Sequence, residues 1–76
     1  MWICVRNIER DMDIVGYADT KEDILQDMYK SFVNTYPDEG TAIDEINAGY
    51  AEYCDSELTA WSNYRNTNYD WKCFWM

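Results

Sequence analysis

The stretch TAIDEINAGYAEYCDSELTAWSNYR, residues 41–65, sets how many helices this chain contains. Ile43, Ile46, Tyr50, Tyr53, Leu58, Trp61 and Tyr64 recur in it at near-heptad spacing, the period of one apolar helix face. Thr41 stands where a capping hydroxyl belongs, with Asp44 three residues later, in the manner of a capping box. The stripe keeps its phase through Asp55-Ser56, which predicts one long helix from 42 to about 65, with any bend at that pair. Two helices, the second capped by Asp55 or Ser56, form the alternative.

Upstream, Thr20 is a helix cap, and Glu22 and Asp23 favour the positive end of the helix dipole. Ile24, Leu25, Met28, Phe32 and Tyr36 follow at three-to-four spacing, and Pro37 ends the run, giving a helix over 20–36. Residues 1–8, MWICVRNI, are β-branched and aromatic enough for a strand. Ile14 to Tyr17 is a short second strand, reached through a polar turn at Glu9 to Asp13 of about five residues. Arg65 to Asn68 is turn-like, and Tyr69 to Met76 alternates as a terminal strand. The order ββααβ predicts a single α+β domain over 1–76, an antiparallel sheet of two or three strands with two helices packed on one face.

The faces of this sheet do not sort cleanly. Turning Asp70 and Lys72 outward puts Trp71, Cys73 and Trp75 inward but exposes Phe74, and turning Arg6 outward exposes Trp2. Part of the far face therefore carries exposed rings, a patch for self-association or for a partner, unless Trp2 folds over the sheet edge.

Composition fixes the class. Charged residues at 28% and hydrophobic residues at 47% are globular values. Aromatics at 17% suit a small domain, because each ring buries about 150–250 Å². Cys4, Cys54 and Cys73 are odd in number and without CxxC spacing, and there is no His, so a conventional zinc site is not available. Neither a signal-type leader nor a run of ~18 apolar residues is present, which reads as a soluble cytoplasmic chain. Thirteen of the fifteen carboxylates lie between Asp11 and Glu57 with only Lys21 and Lys30 among them, a formal charge of −11 within a total of −9. Such a surface is repelled by nucleic acid backbone and anionic lipid and attracts cationic partners, so neither direct nucleic acid binding nor a membrane role is expected.

Two constellations bear on chemistry. Asp11, Asp13, Gly16, Asp19 and Glu22 fall at positions 1, 3, 6, 9 and 12 of an EF-hand calcium loop. Val15 lacks the oxygen needed at position 5, Ala18 replaces a branched aliphatic, and a strand-like segment replaces the entering helix. The loop is thus a degenerate alternative, and no metal or cofactor is expected. No His base, glycine-rich phosphate loop or GxSxG occurs, so the chain reads as non-enzymatic, with buried structural thiols. The stronger signal is the acidic helix face. With Ile43, Ile46, Tyr50 and Tyr53 toward the core, Asp44, Glu45, Glu52 and Asp55 turn outward, as do Asp23 and Asp27 on the first helix. Neighbours three or four apart sit ~5–6 Å from each other, close to the phosphate spacing of a nucleic acid strand.

In size, charge and composition the whole chain resembles the small acidic inhibitors that phages and mobile elements direct against host defence, including anti-CRISPR proteins and nucleic acid mimics. That resemblance implies a protein-binding inhibitor, a monomer or weak homodimer, that occupies the basic nucleic-acid-binding surface of a partner such as a CRISPR effector complex. Trp2 or Phe74 would supply an apolar anchor. A small calcium-binding module and a generic acidic adaptor are the alternatives, as is a face that is only solubilising.

Overall fold

Gly49 breaks the predicted long helix. In the computed structural model, which describes all 76 residues, Gly49 adopts φ 89°, ψ 12°, and its N–H bonds back to the Glu45 and Ile46 carbonyls. This left-handed cap is open to glycine at no steric cost and ends the second helix. Beyond it the chain turns into a β-hairpin. The seven elements are β1 (Trp2–Ile8), β2 (Asp11–Ala18), α1 (Lys21–Asn34), α2 (Glu39–Ala48), β3 (Ala51–Cys54), β4 (Thr59–Tyr64) and β5 (Thr67–Trp75). The strands form one antiparallel five-stranded sheet in the order β2-β1-β5-β4-β3, so the expected two or three strands were too few.

The helical spacing of residues 50–64 has a sheet explanation. Tyr53 and Tyr64 point to the helix side of the sheet and Trp61 to the other, because side chains alternate along a strand. A three-residue step from Trp61 to Tyr64 keeps a helix face but crosses a strand.

Local signals elsewhere act as expected, with shifted ends. The Thr20 hydroxyl accepts from the Asp23 N–H at 3.2 Å and starts α1. For α2 the cap is Asp38 rather than Thr41: its carboxylate accepts from the Thr41 N–H at 2.7 Å and the Thr41 hydroxyl at 2.8 Å. The first hairpin has a two-residue turn, Glu9-Arg10, so β2 is longer than expected; Arg65 and Asn66, both at positive φ, make the tight β4–β5 turn. Val15 is an extra residue on β2, where the register steps from Cys4↔Gly16 to Val5↔Ile14.

Both helices lie on one face of the sheet. Ile24, Met28 and Phe32 of α1 are buried against Cys4, Ala60, Trp71 and Cys73, and the core continues to Tyr36, Ala42 and Ala51. Phe32 meets Trp71 edge-on with centroids 5.3 Å apart, and the indole Nε1–H of Trp71 donates to Ser31 Oγ at 2.8 Å. Tyr36 and Ser62 share a buried hydroxyl–hydroxyl hydrogen bond. Gly16 lets α1 approach β2, since a Cβ there would stand 2.6 Å from the Cβ of Asp27.

Glycine substitutions in α2 separate the two roles of its backbone. Gly40→Ala, whose Cβ would meet only Asp38 at 3.5 Å, should raise stability by about 0.5–1 kcal/mol through helix propensity. Gly49→Ala, at φ 89°, should lower it by about 1 kcal/mol. Urea unfolding midpoints shifted in opposite directions are the expected outcome; equal shifts would contradict the left-handed cap.

Candidate partner-binding surface

The expected acidic row is dispersed by the hairpin. Asp44 is exposed and Glu45 half-buried on α2, Glu52 lies on β3, and Asp55 is in the β3–β4 turn. Glu52 pairs with Trp61 on the side of the sheet away from the helices, so these four carboxylates do not form one helix face. Asp23 is exposed in the first turn of α1, whereas Asp27 is half-buried over Gly16. Of the expected anchors, Phe74 is on the helix-free side. Trp2 is on the helix side, packed on the core and edge-on to Trp75 at 5.7 Å.

The residues of the calcium-loop pattern are likewise not brought together. Asp11 and Asp13 lie in an extended strand, Asp13 is paired with Arg6, and Gly16 does not take the left-handed turn. Asp11, Asp13, Asp19 and Glu22 form no cluster able to hold an ion.

What the fold does assemble is a groove between α1 and β3. Because α2 packs over the Ala51 end of β3, the Tyr53 end is left open beside α1. The groove encloses about 300 Å³, with Leu25, Tyr29 and Tyr53 as its apolar surface and Glu22 and Asp55 as carboxylates; Gln26 and Lys30 complete it. The Tyr29 and Tyr53 rings meet edge-on with centroids 5.3 Å apart. The Tyr53 hydroxyl donates to the Leu25 carbonyl at 3.0 Å, and the Tyr29 hydroxyl donates to Glu39. Burial pushes the Tyr53 phenol up to about 12, and the hydrogen bond to Glu39 raises that of Tyr29. Aromatic rings beside carboxylates in a half-open apolar groove suit a lysine or arginine side chain. Glu22 was visible in sequence as a first-turn helix residue and a calcium-loop position, and Tyr29 not at all, because the groove depends on the unrecognised hairpin.

Lys30 is the one cation lining the groove, and across the molecule the carboxylates are almost wholly unpaired. The one ion pair in the molecule is Arg6 Nη2 with Asp13 Oδ2 at 3.0 Å. Cys4 and Cys73 face each other on β1 and β5, both buried and reduced. The hydrogen bond it shares with Cys73, burial and the negative charge of Asp27 all raise the Cys4 thiol, so it is protonated and inert at neutral pH. No helix is long and apolar enough to cross a membrane.

The phenols set an alkaline limit on stability. Tyr53 is held near 12 and Tyr36 is raised by burial, against an unfolded value of 10.0. Their contribution is complete below that unfolded value and is lost as the pH rises through the folded one, because only the unfolded chain ionises freely in between. Denaturant midpoints should begin to fall near pH 9.0, where the unfolded Cys4 thiol ionises and the buried one does not, and fall further between 10 and about 12 as the phenols follow. Tyr53→Phe should have a lower midpoint at neutral pH, through loss of the bond to Leu25, but a shallower alkaline slope; an unchanged slope would show that Tyr53 is not the group.

No protein-family model, curated protein or solved structure matches this chain.

Proposed function

We propose that the protein is a non-enzymatic acidic inhibitor that binds the basic nucleic-acid-binding surface of a partner, such as a CRISPR effector complex, and blocks DNA or RNA binding there. The observation that carries this reading is the single ion pair set against fifteen carboxylates. A merely solubilising surface usually intersperses both signs; here the negative field is left for a cationic partner. Exposed Glu22, Asp23, Asp44 and Asp55 lie on the helical layer and its adjoining turn, and the groove adds aromatic contact for an inserted cation. Glu52 plays no part in this version, since it points to the other side of the sheet. The place of action is the cytoplasm, where the three free cysteines stay reduced.

Each exposed ion pair contributes only ~0–1 kcal/mol, so the interaction is distributed and no single substitution abolishes it. Salt acts in opposite directions on folding and on binding. Screening relieves repulsion within the acidic surface and should raise the melting temperature, while association with the partner slows. The test is displacement of labelled DNA from purified CRISPR effector complexes and other basic nucleic-acid-binding proteins. The native chain should displace DNA from its target, and a Glu22→Lys, Asp44→Lys, Asp55→Lys variant that keeps its circular dichroism spectrum should not. Undiminished displacement by that variant would reduce the carboxylates to a solvated surface.

A further inference from the structure

Two helices cover one side of the sheet, and nothing covers the other. Cross-strand register arranges the open side in rows. Tyr17, Ile3 and Phe74 form one row, Ile14, Val5 and Lys72 begin the next, and Met12, Asn7, Asp70, Trp61 and Glu52 make the third. Ile3 is only 8% exposed because Tyr17 and Phe74 flank it, whereas Met12, Ile14 and Tyr17 each leave more than half their surface in solvent. Met12, Ile14 and Tyr17 thus stand side by side along β2 next to Ile3, Val5 and Phe74, an apolar grouping rather than scattered single residues.

The charge on this side is as informative as the rings. Among its strand positions only Glu52, Asp70 and Lys72 are ionised, a net of −1 from two carboxylates and one ammonium, in a chain of −9. The remaining carboxylates lie on the helical layer, in the turns or on the helix side of the strands. A basic partner is drawn to those surfaces. A second copy of the same acidic chain is repelled everywhere except here.

We propose that the open side of the sheet is the interface of a two-fold homodimer. Such an interface is self-complementary: the patch meets its own image, and Lys72 of each copy can face Asp70 or Glu52 of the other. The molecule's extents of 33 × 25 × 20 Å allow a face no larger than roughly the ~800 Å² per partner of a standard interface, so most of the open side would take part. The acidic helical layers then point away from each other, and both remain free for a basic partner. The dimer rests on sheet-side residues alone and stands or falls independently of the inhibitor reading.

Sedimentation equilibrium of the full chain tests it. The expected result is a monomer–dimer equilibrium that strengthens at about 0.5 M salt, where residual repulsion is screened. Ile14→Thr with Tyr17→Thr, both acceptable in a strand, should weaken dimerisation at least about tenfold with an unchanged circular dichroism spectrum. Lys72→Glu should weaken it too, and Asp44→Lys on the helical layer should not. A chain monomeric at every concentration and salt level overturns the proposal. So does a dimer indifferent to the Ile14/Tyr17 variant, or one whose formation newly protects the outward amides of β2 from hydrogen exchange, the mark of pairing through the sheet edge. If the double variant fails to fold, Trp61→Thr, at a 41%-exposed position on the same side, takes its place with the same expected direction.

Discussion

The contact between Phe32 and Trp71 holds this structure together. A chain of 76 residues buries little more than ~60% of its unfolded surface, so its core must draw a large area from few side chains. Trp71 sits on β5, whose neighbours in the sheet are β1 and β4, and Phe32 is the last fully buried residue of the α1 stripe. Their edge-on packing joins the middle of the sheet to the last turn of the helix, and the indole bond to Ser31 fixes the rotation of the ring. From this point the core extends through Met28 and Ile24 toward Cys4 and Cys73 in one direction, and through Tyr36 toward Ala42 and Ala51 in the other.

That core also constrains the charge. With one face of the sheet and one stripe of each helix given to packing, most carboxylates are left on the outer helix surfaces and the turns, with a few on the strands. Few cations accompany them, so the fold is maintained against its own electrostatic repulsion by ring burial. Three inner positions of β3 and β4 are correspondingly small: Ala51, Ala60 and Ser62 leave room for Tyr36 and α2 to come close. Asp27 marks how tightly this layer is seated, because only the missing side chain of Gly16 admits it.

How much of this was legible in the sequence varies from element to element. The α1 stripe and its Thr20 cap were plain, because a 3.6-residue period and a cap act locally. The inward Trp71 and Cys73 and the outward Phe74 came from alternation alone. Residues 50–64 look helical in sequence because Tyr50, Tyr53, Trp61 and Tyr64 satisfy a helical period by coincidence. The signal that distinguishes the two readings is Gly49, a helix-ending residue placed directly after the last α2 turn, together with the β-favouring Thr59-Ala-Trp-Ser-Asn-Tyr64. Given a hairpin there, a wider sheet and an uncovered far side are its consequences. The groove between α1 and β3 was beyond reach, since it is made by the length of α2 relative to the strand beneath it.

The strand order carries a kinetic consequence. Each neighbouring pair in the sheet is a hairpin closed by a short connection, except β1 with β5, which are nearly the whole chain apart. The β1–β2 hairpin and the β3–β4–β5 meander are therefore local units, each able to form on a microsecond scale. Neither is a folded protein on its own: the hairpin is marginal in water, and the inner face of the meander stays open without α1 and α2. They become one sheet only when Cys4 comes to face Cys73 and Arg6 comes to face Trp71, after the longest loop closure the chain can make. The central seam, rather than either flank, is thus the last and slowest part to assemble.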